Sequence, residues 1–186
     1  MSVVEIRRLA IPDVLEIRTA RHGDDRGFFS EIWNKANWAE AGISLDFVQH
    51  NHSLSRIPGV LRGLHYQLPP VAQDKLVRVT RGAIFDVAVD IRRSSPTFGQ
   101  WVGATLSATD WNQLLVPKGF AHGFLTLEPD TEVQYNVTAP YSPAHDRAIR
   151  YDDPAIGIDW PAVGVDLILS PKDAAAPLLA EAELFA

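Results

Sequence analysis

The chain contains no cysteine. That absence excludes disulfides, thiolate nucleophiles, iron–sulfur clusters and cysteine-based zinc sites, and it leaves the redox compartment open. A positive charge balance is also missing: 17 Lys and Arg stand against 23 Asp and Glu, a formal net charge of −6. Nucleic-acid polymers bind broad basic surfaces, so no nucleic-acid partner is expected. One phosphorylated small molecule needs only a few local cations. No apolar run approaches the roughly 20 residues of a membrane span. The N-terminal MSVVEIRRLAIPDVLEIRTA alternates apolar and charged residues where a signal peptide carries an unbroken apolar core. No membrane association and a cytoplasmic location are therefore expected. Repeats, low-complexity tracts and linkers are absent too, so residues 1–186 read as a single domain, long enough to bury a sizeable core.

Strand signals dominate what is present. In IFDVAVDI (84–91), Phe85, Val87, Val89 and Ile91 take one face, and Asp86, Ala88 and Asp90 take the other. KLVRVT (75–80), WVGATL (101–106), NQLLV (112–116), HGFLTL (122–127) and EVQYNVT (132–138) are short and β-rich. Turn residues separate them at 81–82, 94–99, 117–119 and 128–130. This spacing predicts an all-β antiparallel barrel or sandwich with a few short peripheral helices. One helix is expected in NKANWAEAG (34–42), with Asn34 as N-cap and Gly42 as the stop. Another is expected in SPKDAAAPLLAEAEL (170–184), with Ser170 as N-cap, Pro171 at the first position, and Pro177 limiting how far its first part runs.

The segment VLRGLHYQ (60–67) places Arg62 and His65 three residues apart in what reads as buried sheet. Burying a cation is costly unless something offsets it, so the stretch is either a salt-bridged pair or a site. GVLRGLHYQ (59–67) and PKGFAH (117–122) align with the two metal-binding motifs of cupin barrels, with His65 and His122 at His positions. Gln67 stands at the second His position, and Val71 or Ala72 where a Glu would be. Two imidazoles and an amide are a poor set for a catalytic metal, which usually takes three or more protein ligands. The expectation is cupin-type jelly-roll geometry without the metal. The remaining polar groups are His65, Arg62, Lys75, Asp86, His122 and Tyr135. A neutral His can act as base, cations can stabilise a developing oxyanion, and a tyrosine can return a proton. Together they suit cofactor-free proton abstraction beside a carbonyl, through an enolate. Each also has a bland alternative: Lys75 and Asp86 as one buried ion pair, Arg62 as structural, Tyr135 as a strand aromatic, His122 as a satisfied core histidine.

Over nearly its whole length the chain resembles the dTDP-4-dehydrorhamnose 3,5-epimerase family. The matching runs include DDRGFFSE (24–31), FVQHNHSLS (47–55), GVLRGLHYQ, DKLVRVTRGAIFDVAVDIRRSSPTFGQW (74–101), PKGFAHGFLTL (117–127), YNVTAPY (135–141), DDPAIGIDWP (152–161) and LSPKD (169–173). The resemblance implies a dTDP-sugar 4-ketone substrate, dTDP-4-dehydro-6-deoxy-D-glucose, inverted at C3 and C5 with no cofactor. A narrower C3-only or C5-only epimerase is the alternative. It implies His65 as the base, Asp173 as the group that orients its imidazole, Tyr135 as the acid on the opposite face, and Lys75 as the enolate stabiliser. A competing local reading makes Ser170-x-x-Asp173 a capping box.

The same resemblance makes Arg26, Arg62 and Lys172 candidates for phosphate or sugar contacts. Gln49 and Asn51 become hydrogen bonders, Phe29 and Tyr141 thymine stackers, His122 a further substrate contact, and Glu31 and Asp146 minor polar contacts. It further implies a homodimer whose Arg26 segment reaches the neighbouring site; the local alternative pairs Arg26 with Asp24 or Asp25. Asp74 and Asp146 depart from the family's usual Gly and Glu. Two readings from other classes are a metal-dependent cupin and a non-catalytic sugar-nucleotide binding barrel.

Overall fold

Alternation of apolar residues along short segments produces a strand-dominated chain, seen here in a computed structural model that describes residues 3–186. Met1 and Ser2 of the N-terminal stretch lie outside the described residues. In order, the elements are β1 (Val3–Arg8), β2 (Leu15–Thr19), β3 (His22–Asp24), β4 (Gly27–Phe29), α1 (Lys35–Glu40), β5 (Gln49–Ser55), β6 (Leu61–Gln67) and β7 (Lys75–Arg81). There follow β8 (Ala83–Asp90), β9 (Trp101–Ser107), β10 (Asn112–Val116), β11 (Phe120–Thr126), β12 (Thr131–Val137), β13 (Asp146–Ala148) and α2 (Pro171–Ala174). One sheet runs β1-β2-β10-β7-β12-β5 and the other β13-β6-β11-β8-β9, while β3 and β4 form a separate hairpin. The strand pairings are antiparallel, and most sheet neighbours are distant in sequence, as a jelly roll requires.

The two phases of IFDVAVDI pack on different layers. Ile84 and Ala88 face the other sheet, in a core with Val77, Val79, Leu106, Leu114 and Phe124. Val87, Val89 and Ile91 face outward, where Ile149, Ile156, Leu179 and Ala182 cover them. The back of the six-stranded sheet is covered by Trp38 of α1 and Ile43, packed on Leu15, Ile17, Leu76 and Leu115. Most side chains on both faces of the central strands are thus buried, and the charged residues left inside must be partnered.

Helix α1 begins where expected: the Asn34 side chain accepts from the amides of Ala36 at 3.1 Å and Asn37 at 3.2 Å. Helix α2 is shorter than the sequence suggests. Ser170 caps it, its hydroxyl accepting from the Asp173 amide at 3.1 Å, but the helix ends at Ala174. Pro177 cannot continue the ladder, and Ala176, Leu179 and Ala182 are buried against the barrel instead. Residues 175–185 form an irregular strap across the five-stranded sheet.

Candidate active site

In a regular strand, residues three apart point to opposite faces. Arg62 and His65 nevertheless line the same cavity. The pairing of β6 with β11 explains it: His65 lies opposite His122 and Arg62 opposite Phe124, three steps on β6 against two on β11. The extra residue is a β-bulge, which re-aims one side chain. Gly63 and Gly123 permit it. Gly63 has φ +125°, and a Cβ there would sit 2.5 Å from the Gly123 Cα. A Cβ on Gly123 would sit 2.9 Å from the Arg62 carbonyl.

The cavity lies between the sheets and encloses about 230 Å³. One wall carries Arg62, His65, His122 and Phe124. The facing wall carries Ser53, Lys75 and Tyr135, on strands β5, β7 and β12 whose inward phase points here. Ser170, Lys172 and Asp173, at α2 and its cap, complete the rim. A second cavity of about 260 Å³ shares Lys75 and Tyr135 and adds Gln49, Asn51, Tyr141 and Asp146.

The His65 Nε2 and Asp173 Oδ1 atoms are 2.5 Å apart, with Asp173 buried and His65 one-third exposed. Burial works to raise the Asp173 carboxyl's pKa, but the His65 contact, the Ser170 hydroxyl and the Gly63 amide outweigh it and hold it below the ordinary value. An ionised Asp173 can only accept, so Nε2 carries the proton and the Nδ1 lone pair is left for chemistry. The orienting and capping readings of Asp173 are compatible: its carboxylate meets His65 while its amide meets Ser170.

Lys75 is buried, and its ammonium donates to the His65 carbonyl at 3.2 Å. Desolvation pulls its pKa down to about 8, against the opposing charges of Asp146 and Asp86. Burial likewise raises that of Tyr135, only partly countered by Arg62, so the phenol keeps its proton at neutral pH. His122 and Asp86 form a second buried pair, Nε2 to Oδ1 2.7 Å. Asp86 therefore partners His122 directly rather than Lys75. Lys172 pairs with Asp146, which also accepts from the Tyr141 hydroxyl at 3.1 Å. Gln49 donates to the Asn51 side chain at 2.8 Å.

His65 and His122 face each other, but each Nε2 is committed to a carboxylate. Among the described residues no three His, Cys, Asp or Glu side chains gather to hold a metal ion. Gln67, at the broken metal-motif position, instead donates to the Val71 carbonyl at 2.8 Å and accepts from the Ser142 amide at 2.7 Å.

Three candidates are not brought to either cavity by their own chain. Arg26 is exposed at the β3–β4 turn, its amide and Nε bonded to Asp24 Oδ1 at 2.9 and 3.1 Å. Phe29 on β4 is 71% exposed. The Glu31 carboxylate accepts from Asn34 at 3.1 Å and Asn37 at 2.7 Å, at the start of α1. The hairpin rests on Trp111: Phe28 meets that ring edge-on, centroids 4.7 Å apart, and Arg21 lies over both rings. Sequence reasoning missed Ser53, Phe124 and Ser170 as lining groups. The alternation Gln49, Asn51, Ser53 on β5 carried the signal for the first.

Against this geometry, the sequence pattern of the dTDP-4-dehydrorhamnose 3,5-epimerase family matches residues 8–181. The chain belongs to that family. A family member from Sinorhizobium fredii is 54% identical over 177 residues, covering 93% of this chain and 88% of that one. A crystal structure of the epimerase from Legionella pneumophila, in complex with dTDP-4-keto-L-rhamnose, superposes with a TM-score of 0.91 at 48% identity, covering 95% of this chain and 93% of the other. ChmJ, a 3′-monoepimerase from Streptomyces bikiniensis crystallised with dTDP-quinovose, matches with a TM-score of 0.85 at 34% identity, covering 92% of this chain and 86% of that one. The proteins it resembles thus share this jelly-roll fold and include both 3,5-epimerases and a 3′-monoepimerase.

Proposed function

We propose that this protein epimerises dTDP-4-dehydro-6-deoxy-D-glucose at C3 and C5, giving dTDP-4-dehydro-L-rhamnose, a step of dTDP-L-rhamnose biosynthesis in the cytoplasm. The observation that carries this is the opposition of the His65–Asp173 pair on one wall to Tyr135 and Lys75 on the other. In this mechanism the 4-ketone acidifies the neighbouring C–H bonds. His65 removes a proton as general base, and Asp173 stabilises the imidazolium. The enolate oxygen forms beside the Lys75 ammonium. Tyr135 delivers a proton to the opposite face of the same carbon, which inverts it. General acid–base catalysis contributes about 10²–10⁴-fold, so electrostatic stabilisation of the enolate by Lys75 and Arg62 must supply much of the rest.

The second cavity suits the nucleotide. Gln49 and Asn51 offer hydrogen bonds and Tyr141 a ring for stacking on thymine, while Lys172 and Arg62, which line the first cavity, offer cations for the diphosphate. The exposed Arg26 and Phe29, set on a hairpin that lines neither cavity, support a homodimer in which this hairpin completes the neighbouring site. The whole of 1–186 is then one catalytic unit.

Turnover in D₂O tests the proposal. Deuterium at both C3 and C5 is the expected outcome, and no exchange at either carbon ends the reading. Label at one carbon alone would favour the narrower epimerase, the reading to which the fold shared with the 3′-monoepimerase lends weight.

A further inference from the structure

We infer that Asp153, in the 152–161 segment, is a positioning residue for the reaction: its buried carboxylate pins to the barrel the strap that directly follows helix α2 and its Asp173. The inference rests on the proposed role of Asp173 toward His65.

Asp153 is 3% exposed, yet its oxygens bond main-chain amides rather than a cation. Oδ1 accepts from Ala155 at 2.8 Å and closes the local turn. Oδ2 accepts from Leu179 at 2.5 Å, 26 residues away, six residues past Asp173. The turn itself is packed on the barrel, with Ile156 in the outer core and the Gly157 carbonyl accepting from the Trp101 indole at 3.2 Å. Asp153 therefore joins a fixed turn to the strap.

Helix α2 needs that support. It is a single turn of four residues, and one helical turn has no stability of its own in water. Its placement is set by what holds its two flanks. Upstream, Ile168 is bonded to Gly59 and Leu61 at 2.8 and 2.9 Å. Downstream, the Pro177 carbonyl accepts from Arg150 at 2.9 Å, Leu179 meets Asp153, and the Glu183 carbonyl accepts from the Tyr66 hydroxyl at 2.5 Å. Tyr66 is the residue after His65, so the strap is anchored to the strand that carries the base. A carboxylate that orients a base must hold its position within about 0.5 Å. The acidic side chain matters because two amides need two acceptor oxygens; asparagine offers one.

The test uses full-length Asp153→Ala, Asp153→Asn, Asp173→Asn and Asp153→Ala/Asp173→Asn proteins, with steady-state kinetics on folded material checked by circular dichroism. Asp153→Ala is expected to lower kcat about 10–10²-fold, as a misplaced catalytic group does, with KM within about twofold. Asp153→Asn should recover part of the loss. The double variant should turn over no slower than Asp173→Asn alone, because placement is irrelevant once the carboxylate is gone. If Asp153→Ala does not fold, Tyr66→Phe removes the other side-chain anchor, and the same non-additivity with Asp173→Asn is expected. A folded anchor variant with the parent's kcat, or a loss that multiplies with that of Asp173→Asn, overturns the inference while the proposed function stands. An Asp173→Asn protein as fast as the parent removes the dyad itself, and the anchor's role with it.

Discussion

Replacing Gly63 by alanine adds one methyl group where β6 crosses closest to β11. That Cβ would stand 2.5 Å from the Gly123 Cα, 2.8 Å from the His122 carbonyl oxygen and 3.3 Å from the Gly123 nitrogen. All three are backbone atoms, so no side chain can swing aside. The methyl group would also hold an L-residue at φ +125°. Overpacking costs about 1–3 kcal/mol and a sparsely populated backbone conformation about 1–3 kcal/mol, so a loss of about 2–6 kcal/mol is expected. For a chain of this size that lowers Tm by on the order of 10 °C. The strand can relieve the clash by giving up the bulge, which returns Arg62 and His65 to opposite faces and lowers kcat about 10²-fold or more. Thermal melting and turnover of the folded protein are the assays. Gly164→Ala is the control: it also has positive φ, +72°, but nothing lies within 4 Å of the new Cβ. It should lose only about 1–2 kcal/mol and keep full activity. A Gly63→Ala protein that melts within two or three degrees of the parent and turns over normally would refute the bulge account.

Other outcomes follow from the same geometry. With the Lys75 amine at about 8, kcat should fall as pH rises through 8, because the ammonium beside the enolate loses its proton; a flat profile from pH 7 to 9 would count against that role. Below pH 8 the charged amine is buried at a cost to the fold that eases as pH climbs toward the usual lysine value. Lys75→Met should therefore abolish turnover yet stabilise the protein at pH 7 by up to about 3 kcal/mol, read as a raised Tm. Arg26→Ala and His65→Asn chains should each be inactive alone. Refolded together they should regain about a quarter of the parent's activity if the hairpin serves the neighbouring subunit of a two-fold dimer; no recovery would place Arg26 elsewhere.

Much of the sheet architecture was legible because its signal is local. β10 occupies the expected residues 112–116, and β7, β8, β9 and β12 fall within a residue or so of their alternating runs. Helix α1 was legible from Asn34, whose capping bonds are also local. The end of α2 was not, because burial of Leu179 and Ala182 against a sheet distant in sequence overrode the helix-forming composition of 174–184. The shared facing of Arg62 and His65 was hidden for a similar reason: the bulge depends on Gly123 across the ladder. His122 and Asp86 sat in recognisable segments, but their pairing is a matter of cross-strand register, which pattern alone does not supply. Arg26, Phe29 and Glu31 carried the family's motif, yet within one chain they lie on a hairpin and a helix start, outside both cavities.

On the proposed mechanism, a base on one wall and an acid on the other act on the same carbon in turn. Tyr135→Phe, followed by NMR in D₂O, tests it most directly. This variant should still exchange substrate hydrogen for deuterium through His65 but yield almost no inverted product, while His65→Asn should do neither. A Tyr135→Phe protein that inverts both centres at the parent's rate would contradict it.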